Sequence, residues 1–270
     1  MAVDFEFKDT YTIEDLVKIV ALLRAPDGCP WDRAQTHESI KKNFIEETYE
    51  VIEAIHKKDA SMLKEELGDV LLQVLLHAQM EAEAGRFTFA DVADAIAAKL
   101  VFRHPHVFGS RTAADEAQAL ESWNDAKAVE KQYHSAADRL NAVPKELPAL
   151  MRAQKVQSRA SKCGFDWPPG ALSEVLSKVS EECAELQAAA GANDAAAVQE
   201  ELGDLLFSVV NAARFAGQDA EEALSAATEK FVRRITLCEE LASAAGIDPK
   251  TMRQDEFDRL WQQAKQKIEN

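Results

Sequence analysis

Acidic side chains in the second half of this sequence have the spacing of a metal site. Residues 181–185 read Glu-Glu-Cys-Ala-Glu, and residues 200–204 read Glu-Glu-Leu-Gly-Asp. Positions three apart lie on one face of a helix, and a short connection would make the two helices antiparallel neighbours. Facing carboxylates repel unless a hard cation lies between them, and all-oxygen ligation favours Mg²⁺ or Mn²⁺ over zinc or copper. The facing carboxylates would be those of Glu182, Glu185, Glu201 and Asp204.

The same two motifs occur 135 residues earlier, at 46–50 and 65–69. Weaker matches follow at slightly different offsets, including residues 123–127 with 261–265. Two acidic motifs at one common offset are difficult to attribute to an acidic composition, so the chain is predicted to contain two copies of one helical unit. Duplication of a purely structural helix pair stays an alternative. The first copy supplies a second carboxylate cluster of Glu47, Glu50, Glu66 and Asp69.

Basic side chains near the second cluster suit a polyphosphate ligand. Lys178 lies one turn before Glu182, and Lys230 and Arg233 are three apart on a later helix. Such cations can bind phosphate oxygens next to a metal, although a basic residue taken alone is more often part of a surface salt bridge. A glycine inside each second acidic helix, Gly68 or Gly203, costs helix stability, so we expect close helix approach at these positions.

Helical periodicity continues through most of the chain, and no strand-like alternation is convincing. The sequence therefore predicts an all-α fold built as a tandem repeat of a helical bundle unit. We place a first domain at 1–140, a linker at 141–150 and a second domain at 151–270. Helices are predicted at 13–24 (with Thr12 as N-cap), 38–57, 61–84, 89–101, 115–139, 171–190, 194–216, 220–245 and 251–268.

Composition excludes several partners. The net charge of −16 opposes nucleic acid and anionic membranes. No apolar run reaches the length of a membrane span, and the acidic start lacks the pattern of a signal peptide. We therefore expect a cytoplasmic protein, and we expect its four cysteines, which form no CxxC pair, to be reduced.

The doubled E-E-x-x-E and E-x-x-D motifs resemble those of the MazG family of nucleoside triphosphate pyrophosphohydrolases, over about residues 16–265. The resemblance implies Mg²⁺-dependent hydrolysis of NTPs and dNTPs between the α- and β-phosphates, with Mn²⁺ as a possible substitute, by a homodimer. It implies metal ligation by Glu182, Glu185, Glu201 and Asp204, and substrate binding by Lys178, Glu200, Lys230, Arg233 and Trp261. Glu181, beside the ligands, is our hypothesis for the base that orients the attacking water. Aromatic character suggests a base pocket around Trp167, Phe207 and Trp261.

The two halves are not equivalent. The offset places Asn43 where the second half has Lys178, and Leu76 where it has Asn211. Phe102 similarly replaces Arg233. We therefore predict that catalysis lies mainly in the second half. The first half would bind metal, bind a different nucleotide or support assembly.

Two other functions are alternatives. A carboxylate-bridged di-iron bundle needs Glu-x-x-His on two helices, and residues 53–56 provide one such motif. The counterparts in the second half are Ala188 and Gly191, so the required symmetry is missing. A non-enzymatic helical regulator that binds a nucleotide or a partner would release no pyrophosphate from any nucleotide.

Overall fold

The computed structural model describes residues 5–131, 133–249 and 251–269, and these ranges contain helices and their connections but no strand. The all-α prediction is confirmed. The chain divides into two compact units, Met1–Lys131 and Gln132–Asn270. This grouping begins the second unit before the linker predicted at 141–150, and the sequence-based domain limits stay a prediction.

The first unit is built around the antiparallel pair α3 and α4. A core of Val20, Ile40, Leu75, Leu76 and Met80 joins this pair to α1. Thr12 caps α1 through a capping box with Asp15, as its sequence predicts. The helices of this unit are α1 (Ile13–Arg24), α2 (Pro30–Ala34), α3 (His37–Lys57), α4 (Ala60–Glu83), α5 (Phe89–Arg103), α6 (Pro105–Phe108) and α7 (Glu116–Lys131).

The second unit repeats this arrangement around the pair α10 and α11, with α9 packed beside α11. A separate small core of Cys238, Ala242, Leu260 and Ala264 joins α12 to α13. The helices of this unit are α8 (Ala136–Asn141), α9 (Ala149–Ser161), α10 (Leu172–Gly191), α11 (Ala195–Phe215), α12 (Ala220–Ala244) and α13 (Gln254–Glu269).

The turns of the two helix pairs are alike in backbone conformation and in capping. Lys58 and Asn193, which are 135 residues apart, both adopt a φ of 55°. The following residues, Asp59 and Asp194, each accept two backbone N–H bonds at the start of the second helix of the pair. Satisfied N–H groups favour a helix start at that residue, so the sequence repeat is also a structural repeat.

Three predicted segments differ from the structure. The helix predicted at 115–139 is two helices, because Ser135 forms a capping box with Asp138 and starts α8 anew; residue 132 of that prediction lies outside the described ranges. The loop predicted at 25–32 contains the start of α2, whose first residue is Pro30. The third kind of difference consists of helices that the sequence pattern did not predict, α6 and α9.

Candidate active site

The second unit brings carboxylates of both acidic motifs together. Glu182 on α10 and Glu201 and Asp204 on α11 each offer an oxygen within 4.8 Å of the others. Burial raises the pKa of Glu201, and the neighbouring charges of Glu185, Glu182 and Asp204 add to that effect. Glu185 is therefore electrostatically part of the cluster, although it is not one of the three closest groups.

Lys178 supplies a positive charge at one side of this cluster. Its Nζ lies 2.8 Å from Glu182 and 2.9 Å from Glu181. These two acceptors raise the pKa of Lys178 above its ordinary value. Glu182 is only 5% exposed, so the lysine compensates a carboxylate that water hardly reaches.

A cleft of about 200 Å³ extends from the carboxylates along α10 and α11. Aromatic rings of Trp167 and Phe207 form part of its wall. Gln157 of α9 donates a hydrogen bond of 2.8 Å to the carbonyl of Phe207, so α9 contributes to the position of this wall. The lining residues are Trp167, Val175, Lys178, Glu182, Asp204, Phe207, Ser208 and Asn211.

An ion pair that the sequence analysis missed supports one end of the cleft. Arg214 on α11 binds Asp166, which precedes the cleft residue Trp167, at 2.6 Å and 2.8 Å. Arg214 also donates to Asn211. The repeat gave no signal for this network, because the equivalent positions in the first half are Trp31 and Gln79.

Other predicted substrate-binding residues do not line the cleft. Lys230 and Arg233 are exposed on α12, and Glu200 is exposed near the start of α11. Trp261 packs with Phe231 and Phe257 at the junction of α12 and α13. The structure therefore brings Lys178, Glu182 and Asp204 into the cleft lining, with Glu201 beside them in the carboxylate cluster, but leaves these four residues outside the lining.

The first unit carries a similar cluster in which no lysine occupies the Lys178 position. Glu47, Glu66 and Asp69 offer oxygens within 4.8 Å of one another. Burial raises the pKa of Glu47 and of Glu66, and the charge and hydrogen bonding of Glu50 contribute in both cases. Leu76, at the position of Asn211, lies in the hydrophobic core. The first cluster therefore retains the four carboxylates but has a neutral residue in place of Lys178 and an apolar residue in place of Asn211.

The close helix approach expected at Gly68 and Gly203 is wrong within one chain. A Cβ added to Gly68 or to Gly203 would meet no heavy atom within 4 Å. Both positions are exposed. Packing inside the described chain therefore does not require a glycine there.

Comparisons with known proteins agree with this doubled architecture. Residues 35–108 and 171–238 match the model of the MazG nucleotide pyrophosphohydrolase domain, which covers both carboxylate clusters. The chain belongs to the MazG family. MazG domains account for both helix pairs, and Trp167 and Trp261 fall outside the matched segments.

Individual MazG relatives match over nearly the whole chain. The nucleoside triphosphate pyrophosphohydrolase/pyrophosphatase MazG of Thermotoga maritima is 46% identical over 254 residues, which is 93% of this chain and 95% of that protein. The nucleoside triphosphate pyrophosphohydrolase of Escherichia coli K12 is 43% identical over 256 residues, 94% of this chain and 97% of the relative. The uncharacterized protein YabN of Bacillus subtilis is 46% identical over 248 residues, which is 92% of this chain and 50% of YabN.

Family membership makes this MazG chain a pyrophosphohydrolase, an all-helical hydrolase with acidic groups able to bind a metal. It favours this activity over the di-iron bundle and over the non-enzymatic regulator. Within the described ranges, none of the helices combines the length and hydrophobicity needed to span a lipid bilayer.

Proposed function

We propose that this MazG chain hydrolyses nucleoside triphosphates, with ribose or deoxyribose, between the α- and β-phosphates to a monophosphate and pyrophosphate. The observation that carries the proposal is in the second unit, where three carboxylates offer oxygens within 4.8 Å of one another beside a cleft and Lys178 forms an ion pair with one of them, Glu182. Carboxylates, a cation and aromatic walls suit a metal-bound triphosphate with a nucleoside attached. The Thermotoga and Escherichia relatives are nucleoside triphosphate pyrophosphohydrolases, which supports the same class of substrate here.

The cluster fits a hard divalent cation. Its ligand atoms are all oxygens, and mutual repulsion contributes to the raised pKa of Glu201. Glu182, Glu185, Glu201 and Asp204 would hold Mg²⁺, with Mn²⁺ as a substitute. The ion would supply positive charge for the phosphate oxygens and would acidify nearby water.

The chain's own residues would position the reactants. Lys178 can exchange its carboxylate partners for a phosphate oxygen, because it lies between the cluster and the cleft. Glu181 is exposed and within reach of the same lysine, so it can orient water and accept its proton. The water oxygen would form a bond to phosphorus as the bond to the leaving phosphate oxygen breaks.

Residues outside the cleft lining would also contact the substrate. Lys230 and Arg233 are exposed and form no ion pair within the described ranges, so both are available to bind phosphates. Trp261 would contact the nucleotide, and Glu200 would complete the substrate-binding set. The contacts of Lys230, Arg233 and Trp261 require substrate or a second chain to bring α12 or α13 to the cleft.

We propose that the enzyme works as a cytoplasmic homodimer with catalysis mainly in its second half. Large apolar side chains are exposed on the acidic helix pairs, among them Tyr49, Leu67, Leu202 and Leu206. Burial of such side chains against a second copy would be favourable. The strongly negative net charge is consistent with a small-molecule substrate and with no nucleic-acid or membrane partner.

The test is product analysis with the eight common NTPs and dNTPs, each with Mg²⁺, with Mn²⁺ or with a chelator. We expect equal amounts of monophosphate and pyrophosphate, and loss of both products with the chelator. Orthophosphate as the first product would mean that a different bond is broken. Unchanged turnover in the chelator would contradict the metal assignment.

A further inference from the structure

A buried amide at one end of the cleft has a fixed orientation. Asn211 is 8% exposed, and its Oδ1 accepts hydrogen bonds from Nε and Nη2 of Arg214 at 3.0 Å and 2.7 Å. A guanidinium has donors and no acceptor, so the amide atom that faces it must be the oxygen. The amide –NH₂ group of Asn211 therefore points away from Arg214.

Arg214 is itself held in place by Asp166. The two side chains are 17% and 16% exposed and form a bidentate ion pair. Hydrogen bonding from Arg214 lowers the pKa of Asp166 below its ordinary value, so this carboxylate stays ionised near neutral pH. Paired charges of low exposure resist rotation, because separating them would leave a charge without a partner.

The –NH₂ group of Asn211 is thus a donor available to a ligand in the cleft. It donates to no protein group within the described ranges, whereas Asn211 itself lines the cleft. The rings of Trp167 and Phe207 line the same cleft and are 43% and 46% exposed. Exposed aromatic surfaces beside a fixed donor suit a flat heterocycle that carries an acceptor.

The distance between Asn211 and the carboxylate cluster indicates that this end of the cleft binds the nucleoside and not the phosphates. Asn211 is seven residues beyond Asp204 on α11, which is about 10 Å along a helix axis. A triphosphate bound at the carboxylates would therefore place its base, not its phosphates, near Asn211.

We propose that Asn211 selects the base by donating a hydrogen bond to a keto oxygen, with Arg214 and Asp166 as positioning residues. The inference rests on the proposed function. It predicts a preference for guanine, hypoxanthine, uracil or thymine over adenine and cytosine, which present an amino group at the corresponding position. An amino group would place a donor against the fixed donor and leave both without acceptors. The first unit has no equivalent pair of residues to recognise the base, because Leu76 and Gln79 occupy the positions of Asn211 and Arg214.

The experiment compares kcat/KM for two matched substrate pairs, ITP with ATP and UTP with CTP, which differ in the keto or amino group. In the wild-type chain we expect the keto substrate to be favoured about tenfold or more in both pairs. Asn211→Asp keeps the pairing with Arg214 but presents an acceptor, so the preference should invert. Arg214→Gln leaves the amide free to turn, so the preference should fall to near one.

The ratio of the two kcat/KM values within a substrate pair distinguishes a change in base recognition from a general loss of activity. A misfolded or less charged site lowers kcat/KM for both substrates, whereas only base recognition changes their ratio. Gln118→Glu adds the same single negative charge at an exposed position of the first unit and should leave both ratios unchanged. Equal hydrolysis of both members by the wild type, or an unchanged ratio in Asn211→Asp, would overturn the inference while leaving the proposed function intact. Absence of hydrolysis of every triphosphate would overturn the proposed function itself.

Discussion

Lys178 gives the second carboxylate cluster an internal counter-charge that the first cluster lacks. It holds Glu181 and Glu182 on the same turn of α10, and Glu182 is buried. At the equivalent first-unit position, the side chain of Asn43 is neutral. Among the described residues, the ion pair of Lys178 with the second cluster has no counterpart at the position of Asn43, which is why we place catalysis at the second cluster.

Glu181→Gln tests the role of the second carboxylate beside Lys178. We expect kcat to fall about 100-fold or more with little change in KM, because the amide cannot accept a proton from water. Glu182 still holds the lysine in this variant, so the fold should be retained. Steady-state pyrophosphate release gives the comparison, and Glu46→Gln at the equivalent first-unit position is the control. Full turnover by Glu181→Gln would eliminate it as the base.

Local spacing explains which site residues could be predicted. The carboxylates and Lys178 are three or four residues apart on single helices, so helical periodicity places them on one face. Asp166 and Arg214 are 48 residues apart and meet only because α9 and its following loop pack near α11. Such a contact depends on tertiary packing, and no spacing rule conveys it.

At the scale of elements, the helix pair with its capped turn is the unit that was duplicated. Caps at Asp59 and Asp194 start α4 and α11 at equivalent positions, which sets the register of the carboxylates. The main helices could be predicted because their apolar faces are periodic. The limits of α8 depend on one local capping box, so its separation from α7 was not evident from periodicity.

Glu81→Gln tests a polar link between the start of α3 and the end of α4. Glu81 accepts from Arg86 and lies 2.6 Å from His37. Arg86, followed by His37, lowers the pKa of Glu81 to about 2. A lowered folded-state pKa stabilises the fold above the usual carboxyl pKa of 4.5, and this contribution is lost as the pH falls toward 2.

Denaturant unfolding between pH 7 and pH 2 measures this contribution. The free energy of unfolding of Glu81→Gln should start lower at pH 7 and decline less steeply below pH 5 than that of the wild type. Glu121→Gln, at an exposed position of α7, serves as the control and should follow the wild-type curve. Parallel curves for wild type and Glu81→Gln would contradict the assigned pKa.

At the scale of the whole molecule, exposed apolar side chains and unexplained glycines favour a second copy. Leu202 and Leu206 are exposed on either side of Gly203 along α11. A helix glycine lowers helix stability by up to about 1 kcal/mol relative to alanine, and no contact in the described chain requires a glycine at position 203. Close contact with another protomer would explain both features.

Gly203→Ala should therefore weaken dimerisation, because its added methyl group would meet the partner chain. Gly191→Ala is a matched control, since Gly191 also lies in a helix with no atom within 4 Å of an added Cβ. We expect the control to retain the wild-type mass and to gain up to about 1 kcal/mol of stability. Sedimentation equilibrium and thermal unfolding supply the readouts. A monomeric wild type, or a Gly203→Ala chain that behaves like the control, would contradict the proposed assembly.

We propose that one of the two similar carboxylate clusters, the one in the second unit, carries out the hydrolysis. Glu201→Ala and Glu66→Ala remove the same carboxylate from the second and the first cluster, 135 residues apart. The most direct measurement is pyrophosphate release from NTPs with Mg²⁺ by these two variants, both verified as folded. We expect Glu201→Ala to lose at least about 100-fold in kcat and Glu66→Ala to retain most of the activity. Loss of activity in Glu66→Ala with turnover retained in Glu201→Ala would contradict it.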